Sequence, residues 1–227
     1  VDRQRIVQAA KASLRNPEGK EALDYLKNKR KLSDKIIDKF DMGYCPPHIE
    51  HCLSGRIITP IYDICNDLIA VSSRHLDSTK KGVERFWHES FDKGSYLYGL
   101  PYAKNNIIKK KKAIVVEGEM DVACLHSYDF NTTVGVSGSS FTLFQAALLG
   151  RYCSDVYFLL DGDTAGYESM RRISKIFRIH SLQAYGLRYI PVTLPNGYDP
   201  DEFVIQNGRK ALIELLVNAE QEYNLIN

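Results

Sequence analysis

Three groups of carboxylates stand where a reaction centre would need them. Glu117 directly follows the apolar run at 113–116, in Glu117-Gly118-Glu119-Met120-Asp121. Asp161 and Asp163 directly follow the run at 156–160, in Asp161-Gly162-Asp163-Thr164-Ala165-Gly166. Asp199-Pro200-Asp201-Glu202 follows the run at 187–190 after a loop rich in Pro and Gly. Asp121 lies one helical turn beyond Glu117, on a helix face that the same cleft would share. Carboxylates gathered in one cleft repel one another and call for compensation. A hard divalent cation, held by one or two carboxylates together with water and substrate phosphates, supplies it. Capping of the next helix is the alternative for any one of these acids. For three groups at successive strand ends, function is the better reading.

The elements that would hold these acids are legible from the hydrophobic pattern. Short continuous apolar runs at 113–116, 132–136, 156–160 and 187–190 have the texture of buried parallel strands. Helical stretches near 119–127, 142–150 and 164–179 alternate with them, which means βαβ units covered on both faces. In such a sheet, ligands bind at the carboxyl ends of the strands. The chain before it reads differently. Ile6, Val7, Ala10 and Leu14 recur at helical spacing, Ala22, Tyr25 and Leu26 form a second stripe, and Ser33 caps a third short helix carrying Ile36, Ile37 and Phe40. Residues 56–62 and 68–72 form a β-hairpin around 63–67, with a further strand at 85–87. The tail from Asp201 is helical, with Phe203, Leu212, Leu215 and Leu216 on its apolar side. The expected class is α/β: a parallel-sheet domain at 113–200, preceded by a basic α+β subdomain at 1–112 and followed by the start of a helical subdomain at 201–227.

Two enzyme classes carry Asp-x-Asp after a strand. Haloacid-dehalogenase-type phosphohydrolases want it early in the chain with Thr or Val in fifth position; here Ala165 stands there, two-thirds along. The Toprim pattern, Glu-Gly after the first strand and Asp-x-Asp after the third, fits in order and spacing. The chain at this point resembles bacterial DnaG-type DNA primase. Val115-Val116-Glu117-Gly118-Glu119-Met120-Asp121 is similar to that family's V-V-E-G-Y-M-D, and Asp161-Gly162-Asp163-Thr164-Ala165-Gly166 to its D-G-D-x-A-G. Leu194-Pro195-Asn196-Gly197-Tyr198-Asp199-Pro200-Asp201-Glu202-Phe203 resembles L-P-x-G-x-D-P-D-E-F. Arg56-Ile57-Ile58-Thr59-Pro60-Ile61 resembles R-I-x-F-P-I, Ser73-Arg74 sits where Gly-Arg is usual, and Lys93-Gly94-Ser95-Tyr96-Leu97-Tyr98-Gly99-Leu100 resembles K-G-x-x-L-Y-G-L.

The resemblance implies synthesis of short RNA primers on single-stranded DNA from ribonucleoside triphosphates. It implies catalysis by Glu117, Asp161 and Asp163, and two or more Mg²⁺ or Mn²⁺ ions held by Glu117, Asp121, Asp161, Asp163, Asp199 and Asp201. It assigns Arg56, Arg74, Arg85 and Lys93 to a basic surface that holds the template and the nascent primer through phosphate contacts. Glu119 replaces the usual Tyr, and Val136-Ser137-Gly138-Ser139-Ser140-Phe141-Thr142 stands in for an L-G-T-x-x-T loop. The rivals are a Toprim nuclease or topoisomerase, and a non-catalytic single-strand-binding module that keeps the fold.

Composition bounds the remaining possibilities. The 227 residues are 44% hydrophobic and 26% charged, an ordinary globular composition, and no apolar run approaches membrane-spanning length. Residues 1–112 carry 22 Lys+Arg against 14 Asp+Glu, or +8; residues 113–227 carry 8 against 14, or −6, which together give the net +2. Five scattered cysteines make no disulfide framework, and cytoplasm, in a bacterial or phage-infected cell, is the expected compartment. Cys45, His48, His51 and Cys52 crowd four zinc-type ligands into one short loop with two prolines, from which no zinc site is expected. The expected object is a monomeric polymerase core, excised from a longer chain. Its zinc-binding domain and the region that meets a replicative helicase would lie elsewhere.

Overall fold

The computed structural model describes residues 2–46, 48, 51–76, 82, 84–138 and 140–226, with His51 described by its backbone only. The chain divides into two compact units, one ending at Phe91 and the other beginning at Asp92. The parallel sheet begins at Lys112, where the sequence texture changes.

The first unit is α+β. Helix α1 (Arg3–Leu14) starts at Asp2, whose carboxylate accepts from the Arg5 N–H, and buries Val7, Ala10 and Leu14. Helix α2 (Lys20–Asp24) runs on into one wider turn at Tyr25–Lys29. Helix α3 (Asp34–Lys39) is capped by Ser33, as its sequence signal indicates. Four antiparallel strands follow: β1 (Gly43–Cys45), β2 (Arg56–Tyr62), β3 (Leu68–His75) and β4 (Phe86–His88), in that spatial order. The β2–β3 turn is made by Asp63, whose Oδ1 accepts from the Cys65 and Asp67 N–H groups at 2.8 and 2.9 Å. Asn66 takes the left-handed conformation there, which Asn tolerates better than most residues. Val7 and Ala10 pack on Cys45, Leu53, Ile58 and Val71, with Ile6, Leu68 and Trp87 at the margin.

The second unit is α/β. Helix α4 (Leu100–Lys110) leads into β5 (Lys112–Val116), α5 (Glu119–Ser127), β6 (Thr133–Gly135), α6 (Leu143–Gly150), β7 (Asp155–Leu159), α7 (Thr164–Ile179), β8 (Arg188–Val192) and α8 (Pro200–Ile226). All four strands are parallel, in the order β6-β5-β7-β8, so every carboxyl end points the same way. The interior β5 and β7 are apolar almost throughout, because helices cover both faces. Phe141, Phe158, Phe177 and Tyr189 form one aromatic cluster that ties the loop before α6 to β7, α7 and β8. Helix α8 bends at Gly208, whose φ of 80° breaks the helical run.

Lysines 109–112 join two elements. Lys109 and Lys110 belong to the last turn of α4, Lys111 closes it in the left-handed conformation, and Lys112 opens β5. The Lys112 ammonium bonds to the Tyr157 hydroxyl at 3.0 Å and to Glu220 at 2.8 Å. It therefore sits at the amino end of the sheet, away from the acids. Beside it Arg188 bridges to Asp155 at 2.6 Å and to Asn224 at 3.1 Å, fastening α8 to the strands. Asp155 is only 5% exposed, so removing its partner leaves a buried charge. Arg188→Met is expected to cost about 3 kcal/mol, read as a lower urea midpoint. A loss below about 1 kcal/mol would mean that the pair behaves as a solvated surface bridge.

Candidate active site

The parallel sheet decides where the first two acid groups lie. Val115 is in register with Phe158, so Glu117 and Asp161 leave neighbouring strands side by side. Beyond the strand end, the Ser137 N–H donates to the Glu117 carbonyl at 3.1 Å, carrying the β5–β6 pairing past Gly135. Asp163 caps α7: its Oδ1 accepts from the Gly166 N–H at 2.8 Å. A Cβ on Gly166 would lie 2.0 Å from the Asp161 carbonyl oxygen, so this turn admits no larger residue.

The third acid group arrives through a backbone staple. The Gly162 N–H donates to the Tyr198 carbonyl at 2.9 Å, and the Gly197 N–H donates to the Gly162 carbonyl at 2.9 Å. A Cβ on Gly162 would meet the Pro195 carbonyl oxygen at 2.5 Å. The loop before α8 therefore lies directly on the turn after β7 only because residue 162 has no side chain. That contact brings Asp199 and Asp201 to Asp161.

The acids feel one another. Burial, then the charges of Glu117, Asp199, Asp163 and Asp201, pushes the Asp161 carboxyl from 3.8 up to about 7. Burial, then the charges of Asp163 and Asp199, also raises Glu117, while an N–H from Asp161 and the charge of Arg172 act against the rise. Asp201 is buried, whereas Asp163 and Asp199 are exposed. Asp121 is tied locally: its Oδ2 accepts from the Gly118 N–H at 3.1 Å across the first turn of α5. Glu119 is buried in that same turn.

Among the described residues, no group of three or more His, Cys, Asp or Glu side chains is close enough to cage an ion by itself. The donors are nonetheless hard oxygens in a half-buried, mutually repelling set, which fits magnesium or manganese bound by one or two carboxylates with phosphate and water completing the shell. It does not suit zinc. The loop weighed for zinc lies partly outside the described residues, at 47, 49, 50 and the His51 side chain; Cys45 is buried in the first unit's core and Cys52 is exposed.

The four basic residues assigned to nucleic acid differ in exposure. Arg56 is 5% exposed and donates Nη2 to the Glu84 carbonyl at 2.7 Å. Arg74 is 8% exposed, its guanidinium lying over the rings of Tyr25 and Phe86, 5.4 and 5.1 Å from their centroids. Arg85 is exposed and lies over the same Phe86 ring. Lys93, half-buried in the second unit, runs its stem past Gly138; that glycine and Glu117 line one small cavity of about 10 Å³ with Val136, Phe141 and Ser169. Arg172, whose charge acts on Glu117, was not singled out in the sequence, since one arginine in a basic helix carries no spacing signal.

Known proteins resemble this chain in sequence and in fold. A family described as Toprim-like matches residues 114–204, which span the Glu117, Asp161–Asp163 and Asp199–Asp201 groups. The DNA primase of Chlamydia trachomatis is 33% identical over 235 residues, covering 90% of this chain and 38% of that protein. The chain belongs to the family of bacterial DnaG-type primases. The crystal structure of the Aquifex aeolicus primase zinc-binding and RNA polymerase domains matches with a TM-score of 0.81 at 28% identity, covering 95% of this chain and 59% of that one. A DnaG primase catalytic domain bound to single-stranded DNA matches with a TM-score of 0.84 at 26% identity, covering 95% and 76%. The chain spans about two-fifths of the length of the curated primases it matches, 38% of the Chlamydia trachomatis protein. No helix among the described residues is long and apolar enough to cross a membrane.

The raised Asp161 carboxyl has a pH signature. The folded protein keeps a proton there that the unfolded chain releases above 3.8, so metal-free stability falls as pH rises from about 4 to about 7. Asp161→Asn removes that penalty. In chelator, the variant is expected to melt about 3 °C above the parent at pH 8, with the margin closing as pH falls to about 4. A margin independent of pH would show that Asp161 carries no such strain.

Proposed function

We propose that this chain is the catalytic core of a DNA primase, making short RNA primers on single-stranded DNA from ribonucleoside triphosphates. The observation that carries it is the convergence of Glu117, Asp161, Asp163, Asp199 and Asp201 in one cleft, in a chain of which 90% aligns with a DNA primase. Glu117, Asp161 and Asp163 are the catalytic carboxylates, and with Asp199 and Asp201 they hold the divalent cations. Asp121, tied to Gly118, supports the turn that presents Glu117. When bound, magnesium or manganese supplies the positive charge that the in-line phosphoryl transition state and the departing pyrophosphate require.

The chain's own groups do the rest. Glu117 and Asp161, leaving neighbouring strands side by side, would hold the ion that activates the primer 3′-hydroxyl. Lys93, beside the 136–142 loop, meets a phosphate of the template–primer hybrid. In the first unit, exposed Arg85 and the Arg74–Phe86 stack contribute the basic and aromatic groups that single-stranded nucleic acid favours. Buried Arg56 supports that surface from behind, through Glu84. The partners are single-stranded DNA, the RNA primer and nucleoside triphosphates, for a monomer in the cytoplasm; a replicative helicase meets the primase through other regions.

The test supplies single-stranded DNA, labelled ribonucleotides and Mg²⁺ or Mn²⁺, with and without a preformed primer. Template-dependent RNA is expected. Glu117→Gln should lower its yield at least about 10³-fold while single-strand binding stays within about twofold. Nicked DNA in place of RNA would instead support a Toprim nuclease. Salt-sensitive binding with no product, even on a primed template, would support a non-catalytic module.

A further inference from the structure

Helix α6 begins with a reciprocal cap. The Thr142 Oγ1 accepts from the Gln145 N–H at 3.1 Å, and the Gln145 Oε1 accepts from the Thr142 N–H at 3.1 Å. Such a cap uses only the oxygen of the Gln side chain, and Glu serves it as well. Gln145 has a second set of partners that capping does not explain. Its Nε2 donates to the Lys93 carbonyl at 3.0 Å and to the Tyr96 carbonyl at 2.6 Å. The Thr142 hydroxyl donates to the intervening Gly94 carbonyl at 2.6 Å. Three carbonyls of one short segment are thus gathered on two side chains at the start of α6. Gln145 is fully buried, so each of these bonds is protected from water.

The segment is held from its far end as well. Tyr98 exchanges both backbone hydrogen bonds with Gly135, at 2.8 and 3.0 Å, which adds it to the edge of β6. Between the two anchors, Lys93 leaves the chain with its stem 3.7 Å from the position a Cβ on Gly138 would take. Lysine has four rotatable bonds and no preferred aim of its own. Its direction is set by the backbone that carries it.

We infer that Gln145 is a positioning residue for Lys93. Its amide pins the backbone of residues 93–96 so that the Lys93 side chain is presented beside Gly138. The inference rests on the reading that Lys93 contacts a nucleic-acid phosphate.

The measurement is the slope of log binding constant against log salt for a single-stranded DNA oligonucleotide. It is made on the parent, Lys93→Ala, Gln145→Met and the double variant, each checked for folding by its melting curve. Lys93→Ala should flatten the slope by about 0.7, the loss of one phosphate contact. Gln145→Met should flatten it by a similar amount although Lys93 is still present, and the double variant should show no further change. A lower melting temperature alone would not move the slope. If Gln145→Met does not fold, Thr142→Val carries the same test through the Gly94 bond. Thr142→Ser, which keeps the hydroxyl, should restore the parent slope. A slope changed by Lys93→Ala but not by Gln145→Met or Thr142→Val would overturn the positioning role alone. An unchanged slope in Lys93→Ala would overturn the phosphate contact, and this inference with it.

Discussion

Like charges held at short range in a half-buried cleft are the constraint on which the second unit depends. Each of Glu117, Asp161, Asp163, Asp199 and Asp201 would be unremarkable alone. Burial first, and then the charges of their neighbours, raise the proton affinity of Asp161 and Glu117. A fold gains nothing in stability from such an arrangement, because desolvation and repulsion both oppose it. It has to be maintained by contacts elsewhere. The aromatic cluster around Phe158, the Arg188–Asp155 bridge and the Lys112–Tyr157–Glu220 triad do this at the opposite end and on the face of the same sheet. Strain gathered where chemistry occurs and offset by packing elsewhere is the expected pattern for a reaction centre.

The backbone decides which acids meet. Parallel strands bring Glu117 and Asp161 together without any help from their side chains. The loop before α8 joins them because Gly162 allows the Pro195 carbonyl to approach where a Cβ would stand. The glycine in Asp-Gly-Asp is therefore a packing requirement between two loops as much as a turn residue. Lys93 depends on the same economy. Its segment is fixed by main-chain carbonyls on Gln145 and Thr142 and by the Tyr98–Gly135 bridge.

The second unit was legible in the sequence wherever burial was continuous. The runs at 113–116 and 156–160 could be read as parallel strands because both of their faces are covered, and helix α7 carries a clear apolar stripe. Helix α4 was not read. Its buried side, Leu100, Ala103 and Ile107, is thin and interrupted by Asn105, Asn106 and lysines, although Pro101 in its first turn was a start signal. The acids were legible because strand ends are visible in a hydrophobic pattern. The exposure of the arginines was not: nothing in the residues around Arg56 or Arg74 tells that one is buried against Glu84 and the other lies over two aromatic rings. Gln145 left a partial signal, since Thr142-x-x-Gln145 is the pattern of a helix cap. Its two further bonds depend on a segment some fifty residues away, which no local pattern contains.

Direct binding of Mn²⁺, followed by the loss of the free-ion paramagnetic resonance signal, tests most plainly whether these carboxylates act as one cation-holding set. Titrations of the parent and of Asp161→Asn across pH 5 to 8 should show parent affinity rising with pH as protons leave the cleft. The variant should bind at least about tenfold more weakly at pH 8, equivalent to about 1.4 kcal/mol. Equal affinity in the two proteins, with no dependence on pH, would contradict the account.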